Sequence, residues 1–187
     1  GGGEGSGGNV NIIDYVTIAT TGNALDFGDL LAAIRGLFGC ASTTRGLFAG
    51  SSDTPNVIQY ITISTTGNAT DFGDLTVARY YGSSCSSGTR GLFGGGTTGA
   101  SNSNVIDYVT IASTGNASDF GDLTAATSGL AACSSSIRGV FGGGYPGDFT
   151  NTTSYVTISS AGNATDFGDL TLSRSYLAAC SNGHGGL

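Results

Sequence analysis

Eight of the twelve aspartates fall in four copies of Asp-Phe-Gly-Asp: Asp26 and Asp29, Asp71 and Asp74, Asp119 and Asp122, Asp166 and Asp169. Paired carboxylates can bind calcium or run acid–base chemistry. Replication in every copy points elsewhere, because a catalytic centre is seldom built four times over. The expected role is structural, as Asx turns at strand ends or as partners of Arg45, Arg90 and Arg138. Calcium is the alternative cofactor; the spacing is looser than the Asp-x-Asp of dedicated calcium loops. The tripeptide Asp-Phe-Gly also occurs in kinases, but no phosphate loop, β3 lysine or His-Arg-Asp accompanies it.

Four cysteines occupy equivalent places, at Cys40, Cys85, Cys133 and Cys180. Convergence on an axis would make a metal site with four thiolate ligands. The local Cys-x-x-Cys pairs of such sites are missing, and the surrounding residues are small and apolar. Buried free thiols are therefore expected, with disulfides and metal as alternatives. His184 is the single histidine, in a glycine-rich tail, and no hydrolytic triad can be assembled around it. The Gly-Gly-Gly runs lack the Lys-Ser or Lys-Thr of a phosphate loop and read as tight strand exits. Asn68, Asn116, Asn151 and Asn163 head Asn-x-Ser/Thr sequences; three of them are also turn residues, which accounts for them without a glycan. No catalytic, cofactor or metal residue is assigned.

The elements that position these residues are set by a repeat. The motif phenylalanines are Phe27, Phe72, Phe120 and Phe167, at steps of 45, 48 and 47 residues. Tyr15, Tyr60, Tyr108 and Tyr155 each precede one by 12 positions, and the cysteines each follow by 13. Five residues after the first three cysteines stand Arg45, Arg90 and Arg138. All length variation lies between an arginine and the next tyrosine, at 15, 18 and 17 residues, which marks an exposed loop.

Each unit reads as four short strands. Val105–Ile111 carries β-branched residues and an aromatic; Gly-Asn then signals a hairpin. Asp119–Thr124 is a second strand with Phe120 and Leu123 as core anchors, followed by the Cys133 and Arg138 strands. No segment has a capped helical stripe. A unit of this size cannot bury a core alone, so four must stack. The fold class is all-β: either a four-bladed β-propeller closed by pairing N- and C-terminal strands, or an assembly that pairs those edges between subunits. Residues 1–8 read as a glycine-rich linker or arm and residues 9–187 as one four-repeat domain. With no methionine anywhere, Gly1 is expected to be a processed or internal start.

The arrangement Phe93-Gly94-Gly95, Tyr108 and Phe120 resembles kelch repeats, with phenylalanine in place of the usual tryptophan and a longer tyrosine-to-aromatic distance. The phrases Gly-Asn-Ala-Thr-Asp-Phe-Gly-Asp-Leu-Thr and Arg138-Gly139-Val140-Phe141-Gly142-Gly143-Gly144 resemble tandem repeats in structural proteins of aquatic bacteriophages and related environmental sequences. The segment Cys180–Leu187 is similar to a terminal repeat of such proteins. This resemblance implies a virion structural role, in a tail fibre or on a surface.

Composition narrows the function further. Six basic residues, none of them lysine, stand against 13 acidic ones, for a net charge of −7. That balance argues against nucleic acid and anionic membrane as partners, and no run of about 18 apolar residues suggests membrane insertion. The 34 glycines follow no Gly-x-y period, which excludes collagen. Loops that vary on a repeated frame suit receptor or cell-surface glycan binding, with Asp53, Asn102, Tyr145 and Phe149 as contact residues. The expectation is a non-enzymatic virion or extracellular protein that forms a homo-oligomer with other virion or fibril subunits. The alternative is a self-assembling microbial fibril subunit.

Overall fold

The computed structural model describes residues 1–181. They form sixteen strands and no helix. A hairpin of β1 (Gly3–Gly5) and β2 (Gly8–Val10) precedes the two-stranded sheet β3 (Ile12–Tyr15) and β4 (Leu25–Asp29). Three four-stranded antiparallel meanders follow. The second sheet is β5 (Phe38–Ala41), β6 (Arg45–Ala49), β7 (Val57–Thr62) and β8 (Thr70–Asp74). The third is β9 (Ser83–Ser86), β10 (Arg90–Gly94), β11 (Val105–Thr110) and β12 (Ser118–Asp122). The fourth is β13 (Ala131–Ser134), β14 (Arg138–Gly142), β15 (Thr152–Thr157) and β16 (Thr165–Asp169).

The sheets do not coincide with the sequence units. Each full sheet takes its cysteine and arginine strands from one unit and its tyrosine and phenylalanine strands from the next. The variable loop therefore connects two strands of one sheet, while the constant segment after Asp-Phe-Gly-Asp crosses between sheets.

Asp-Phe-Gly-Asp is a β-bulge. Gly73 pairs with Ile58 and Asp71 with Gln59, leaving Phe72 as the extra residue. The same register shift skips Phe27, Phe120 and Phe167. A bulge twists the strand and frees backbone groups from the ladder. Here the freed phenylalanine carbonyl meets the next sheet. Gly67 N–H donates to the Phe27 carbonyl at 2.7 Å, Gly115 to Phe72 at 2.8 Å and Gly162 to Phe120 at 2.7 Å. Two residues on, Ala69, Ala117 and Ala164 donate to the carbonyls of Asp29, Asp74 and Asp122. The turn asparagines complete the junction: Asn68, Asn116 and Asn163 accept through Oδ1 from the N–H of those same aspartates at 3.0–3.1 Å.

Three apolar clusters fill the spaces between sheets. Phe27, Ile13 and Leu30 meet Ala69 and Ile61; Phe72, Leu47 and Phe38 meet Phe93 and Val109; Phe120, Leu92 and Ile106 meet Phe141 and Val156. Each cluster straddles one junction, so no sheet holds a core of its own. Phe120 and Leu123 are buried, as the sequence suggests.

Residues 1–8, expected to be a linker, carry the β1–β2 hairpin instead. Gly2 and Gly3 have φ of 66° and 122°, close to the 65° and 102° of Gly95 and Gly96. Gly3 N–H donates to Ile34 as Gly96 donates to Thr127. The segment is a strand exit like those of the later sheets; glycine content alone concealed this. The hydrogen bonds between sheets join successive sheets, and among the described residues none joins the first to the last.

The junction predicts unequal costs for one substitution. A Cβ on Gly73 would lie 2.5 Å from the Gly115 carbonyl carbon, whereas one on Gly168 would meet nothing within 4 Å among the described residues. Both residues have positive φ, 146° and 131°. Gly168→Ala should cost only the backbone strain, about 1–3 kcal/mol. Gly73→Ala should cost at least about 2 kcal/mol more, because junction hydrogen bonds must also break. Urea denaturation of the two variants measures the difference.

Candidate functional site

Arg45, Arg90 and Arg138 do not pair with the repeated aspartates. Each guanidinium lies over a tyrosine of its own sheet, at 4.5 Å from Tyr60, 4.8 Å from Tyr108 and 4.6 Å from Tyr155. Each tyrosine meets the bulged phenylalanine edge-on, as Tyr60 meets Phe72 at 5.9 Å and Tyr108 meets Phe120 at 5.9 Å. Tyr15–Phe27 and Tyr155–Phe167 repeat the contact. Such contacts contribute roughly 0.5–1.5 kcal/mol each beyond area burial. Arg45 Nη1 then donates to the Ile111 carbonyl of the third sheet at 2.9 Å, and Arg90 to Ile158 of the fourth at 3.0 Å. The arginine is thus a tie between sheets. The eight repeated aspartate carboxylates accept no hydrogen bond among the described residues, and their backbone does the structural work instead.

The ion pair that matters is one the sequence reading does not single out. Arg79 and Asp107 are fully buried, 2.7 Å apart, across the junction of the second and third sheets. Arg79 also donates to the carbonyls of Gly95, Phe93 and Val77, and Asp107 accepts from the backbone and hydroxyl of Thr76. Burial pulls the guanidinium below its ordinary pKa, and the charge of Asp107 opposes that shift. The corresponding positions of the other junctions hold Ile34 with Gln59 and Thr127 with Ser154. Alignment of the repeats would have exposed this variation, since the position of Asp107 is uncharged in the second and fourth units.

The cysteines line one groove of about 400 Å³ together with their flanking serines and alanines, drawn from β5, β9, β13 and the segment Ala179–Ser181. All four are free thiols. Burial pushes the Cys40 thiol up to about 12 and raises that of Cys85 further. Cys40 and Cys85 serve packing: a Cβ on Gly91 or Gly139 of the next sheet would strike their sulfurs at 2.8 and 2.5 Å. Among the described residues no three His, Cys, Asp or Glu side chains come together to hold a metal ion. His184 lies outside the described residues.

Of the proposed contact loops, those of Asn102 and Tyr145 meet, while Asp53 is held by β2 instead. Asn102 Nδ2 donates to the Tyr145 carbonyl at 2.5 Å, and Asn9 Nδ2 donates to Asp53 at 2.9 Å. Tyr145 and Phe149 stand edge to face at 5.6 Å, both exposed. The loop that carries them also borders a cavity of about 60 Å³, lined by Thr127, Ser154, Pro146 and Thr150 among others. The buried Thr127 hydroxyl has no hydrogen-bond partner among the described residues. Thr127 stands at the position that Arg79 holds at the preceding junction, and the shorter side chain leaves this space unfilled.

No protein-family model matches the chain, and no curated protein matches it.

Two measurements test these roles. Arg79→Met should destabilise the fold by about 3–5 kcal/mol, because Asp107 is left buried without its cation; Arg79→Met with Asp107→Leu should recover most of it. Urea titration of both variants reads this out. For the thiols, alkylation under native conditions should modify exposed Cys180 first and leave Cys40 and Cys85 slow. Folding raises the Cys40 pKa to about 12. Its stabilising contribution is therefore complete below the unfolded value of about 8.5 and is lost as pH rises toward the folded one.

Proposed function

We propose that the chain is a non-enzymatic structural domain of a virion appendage or surface that displays its strand-exit loops to a cell-surface glycan or receptor. The observation that carries the reading is the contrast between frame and loops. Phenylalanine and asparagine are used identically at all three junctions and the arginine tie at two, while the loops at one position of each sheet differ in sequence and meet in pairs, Asn9 with Asp53 and Asn102 with Tyr145. The exposed Tyr145–Phe149 pair suits the apolar face of a sugar ring, and Asn102 and Asp53 offer polar contacts beside the aromatic pair and the neighbouring loop. The kelch-like repeat and its resemblance to phage structural repeats support a particle surface as the setting.

A second reading is an extracellular fibril subunit. It is favoured by the end sheets, which expose Ile18, Leu25, Phe167 and Tyr176. Those ends would meet within one chain in a closed four-bladed propeller, a form consistent with the three cysteine strands and the Ala179–Ser181 segment lining one groove, or between chains in a fibril.

A glycan array probed with the intact chain tests the display reading. The chain should bind a subset of glycans, and Tyr145→Ala or Phe149→Ala should weaken binding at least about tenfold with the fold unchanged. Folded protein that binds no glycan or host cell would exclude it.

A further inference from the structure

Every junction has a donor half and an acceptor half. The donor half is a Gly-Asn-Ala turn, whose glycine and alanine N–H groups and asparagine Oδ1 reach the preceding sheet. The acceptor half is the bulge, which offers the phenylalanine carbonyl and the second aspartate. Three junctions use three of each. The first sheet retains a spare donor half, Gly22-Asn23-Ala24, all three residues exposed. The fourth sheet retains a spare acceptor half, Phe167-Gly168-Asp169. Phe167 is 54% exposed, against 2–8% for Phe27, Phe72 and Phe120. Among the described residues nothing lies within 4 Å of where a Cβ on Gly168 would be, whereas its three counterparts meet backbone.

A second observation is independent of the first. At the Arg79 position the fourth sheet carries Arg174, and at the Asp107 position the first sheet carries Asp14. Both are exposed, and neither side chain makes a hydrogen bond among the described residues. Thr171 stands where Thr76 supports Asp107. The charge pair that closes the second junction is thus present once more, divided between the two ends of the chain.

We infer that a second copy of this chain docks head to tail, its Asp14 against Arg174 and its Gly22–Ala24 turn on the Phe167–Asp169 bulge. The expected bonds are those of the internal junctions: Gly22 N–H to the Phe167 carbonyl, Ala24 N–H to the Asp169 carbonyl, and Asp169 N–H to Asn23 Oδ1. Exposed Leu172 and Tyr176 on one face and Ile12 and Leu25 on the other are then covered together. The contact is heterologous, so repetition builds a filament or a ring rather than a two-fold dimer. The inference rests on the structural reading above and supplies its interface.

Sedimentation velocity of the full chain over a wide concentration range is the test. Wild type should gain mass with concentration. Asp14→Arg and Arg174→Asp alone should each weaken association at least about 100-fold, since each leaves like charges facing in the contact. Mixed in equal amounts they should reassemble, because position 14 of either variant then faces an opposite charge at position 174 of the other. Asn23→Ala should weaken association with no change of net charge. Wild type that stays monomeric at all concentrations, as ring closure within one chain would require, overturns the inference. So does a mixture that fails to reassemble. Assemblies that ignore all three substitutions overturn this interface but leave the structural reading standing. Monomers that still bind glycans overturn it and leave display standing.

Discussion

The hydrogen bond from a turn glycine to the carbonyl of a bulged phenylalanine is the contact on which the rest of the molecule depends. A regular strand would direct that carbonyl into its own ladder. Skipping Phe72 in the pairing rotates its backbone outward and its ring inward, so one irregularity supplies both an intersheet acceptor and a core anchor. The glycine that follows is required twice: for its positive φ, and because the neighbouring backbone lies where a Cβ would be. The clusters of apolar side chains lie between sheets and can form only when this contact sets the spacing. Stability is then a sum over junctions, as in other stacked repeats.

Within that common frame the junctions are chemically unequal. The first is apolar at Ile34, the second is closed by Arg79 and Asp107, and the third leaves Thr127 beside a small cavity. A buried ion pair gives little net stability against an apolar equivalent, but it penalises any neighbour that lacks its partner. The second junction is therefore the one most specific for its own two sheets, and the third the one with most room to be improved by repacking.

The repeat, the strand content and the buried positions of Phe120 and Leu123 were legible from the sequence because spacing and residue type alone encode them. The use of the aspartates was not. Carboxylates attract attention as charged groups, yet Asp29, Asp74 and Asp122 contribute their N–H groups, a role any residue type except proline can fill. A glycine within a strand pattern was the available signal of a bulge or a close backbone approach. The grouping of strands into sheets was also hidden: constant spacing from Tyr15 to Arg45 marks the invariant stretch, but the sheet boundary lies inside that stretch, where the chain crosses over. The β1–β2 hairpin escaped because its composition matches a linker, and only the φ values of Gly2 and Gly3 distinguish an ordered exit from a flexible one.

The bulge and the turn that recognise each other lie less than one period apart in the sequence, 40 to 43 residues, the difference being taken up in the variable loop between them. A gene encoding such a chain can therefore gain or lose whole periods by unequal recombination, and each product still carries a bulge and a turn at every joint, the Arg79–Asp107 joint alone losing its charge match if its two sheets are separated. Loop sequences would be shuffled in the same event while the frame is kept. Chain length, in this architecture, is free to vary in whole units over generations, and diversification of the displayed surface needs no redesign of what holds it together.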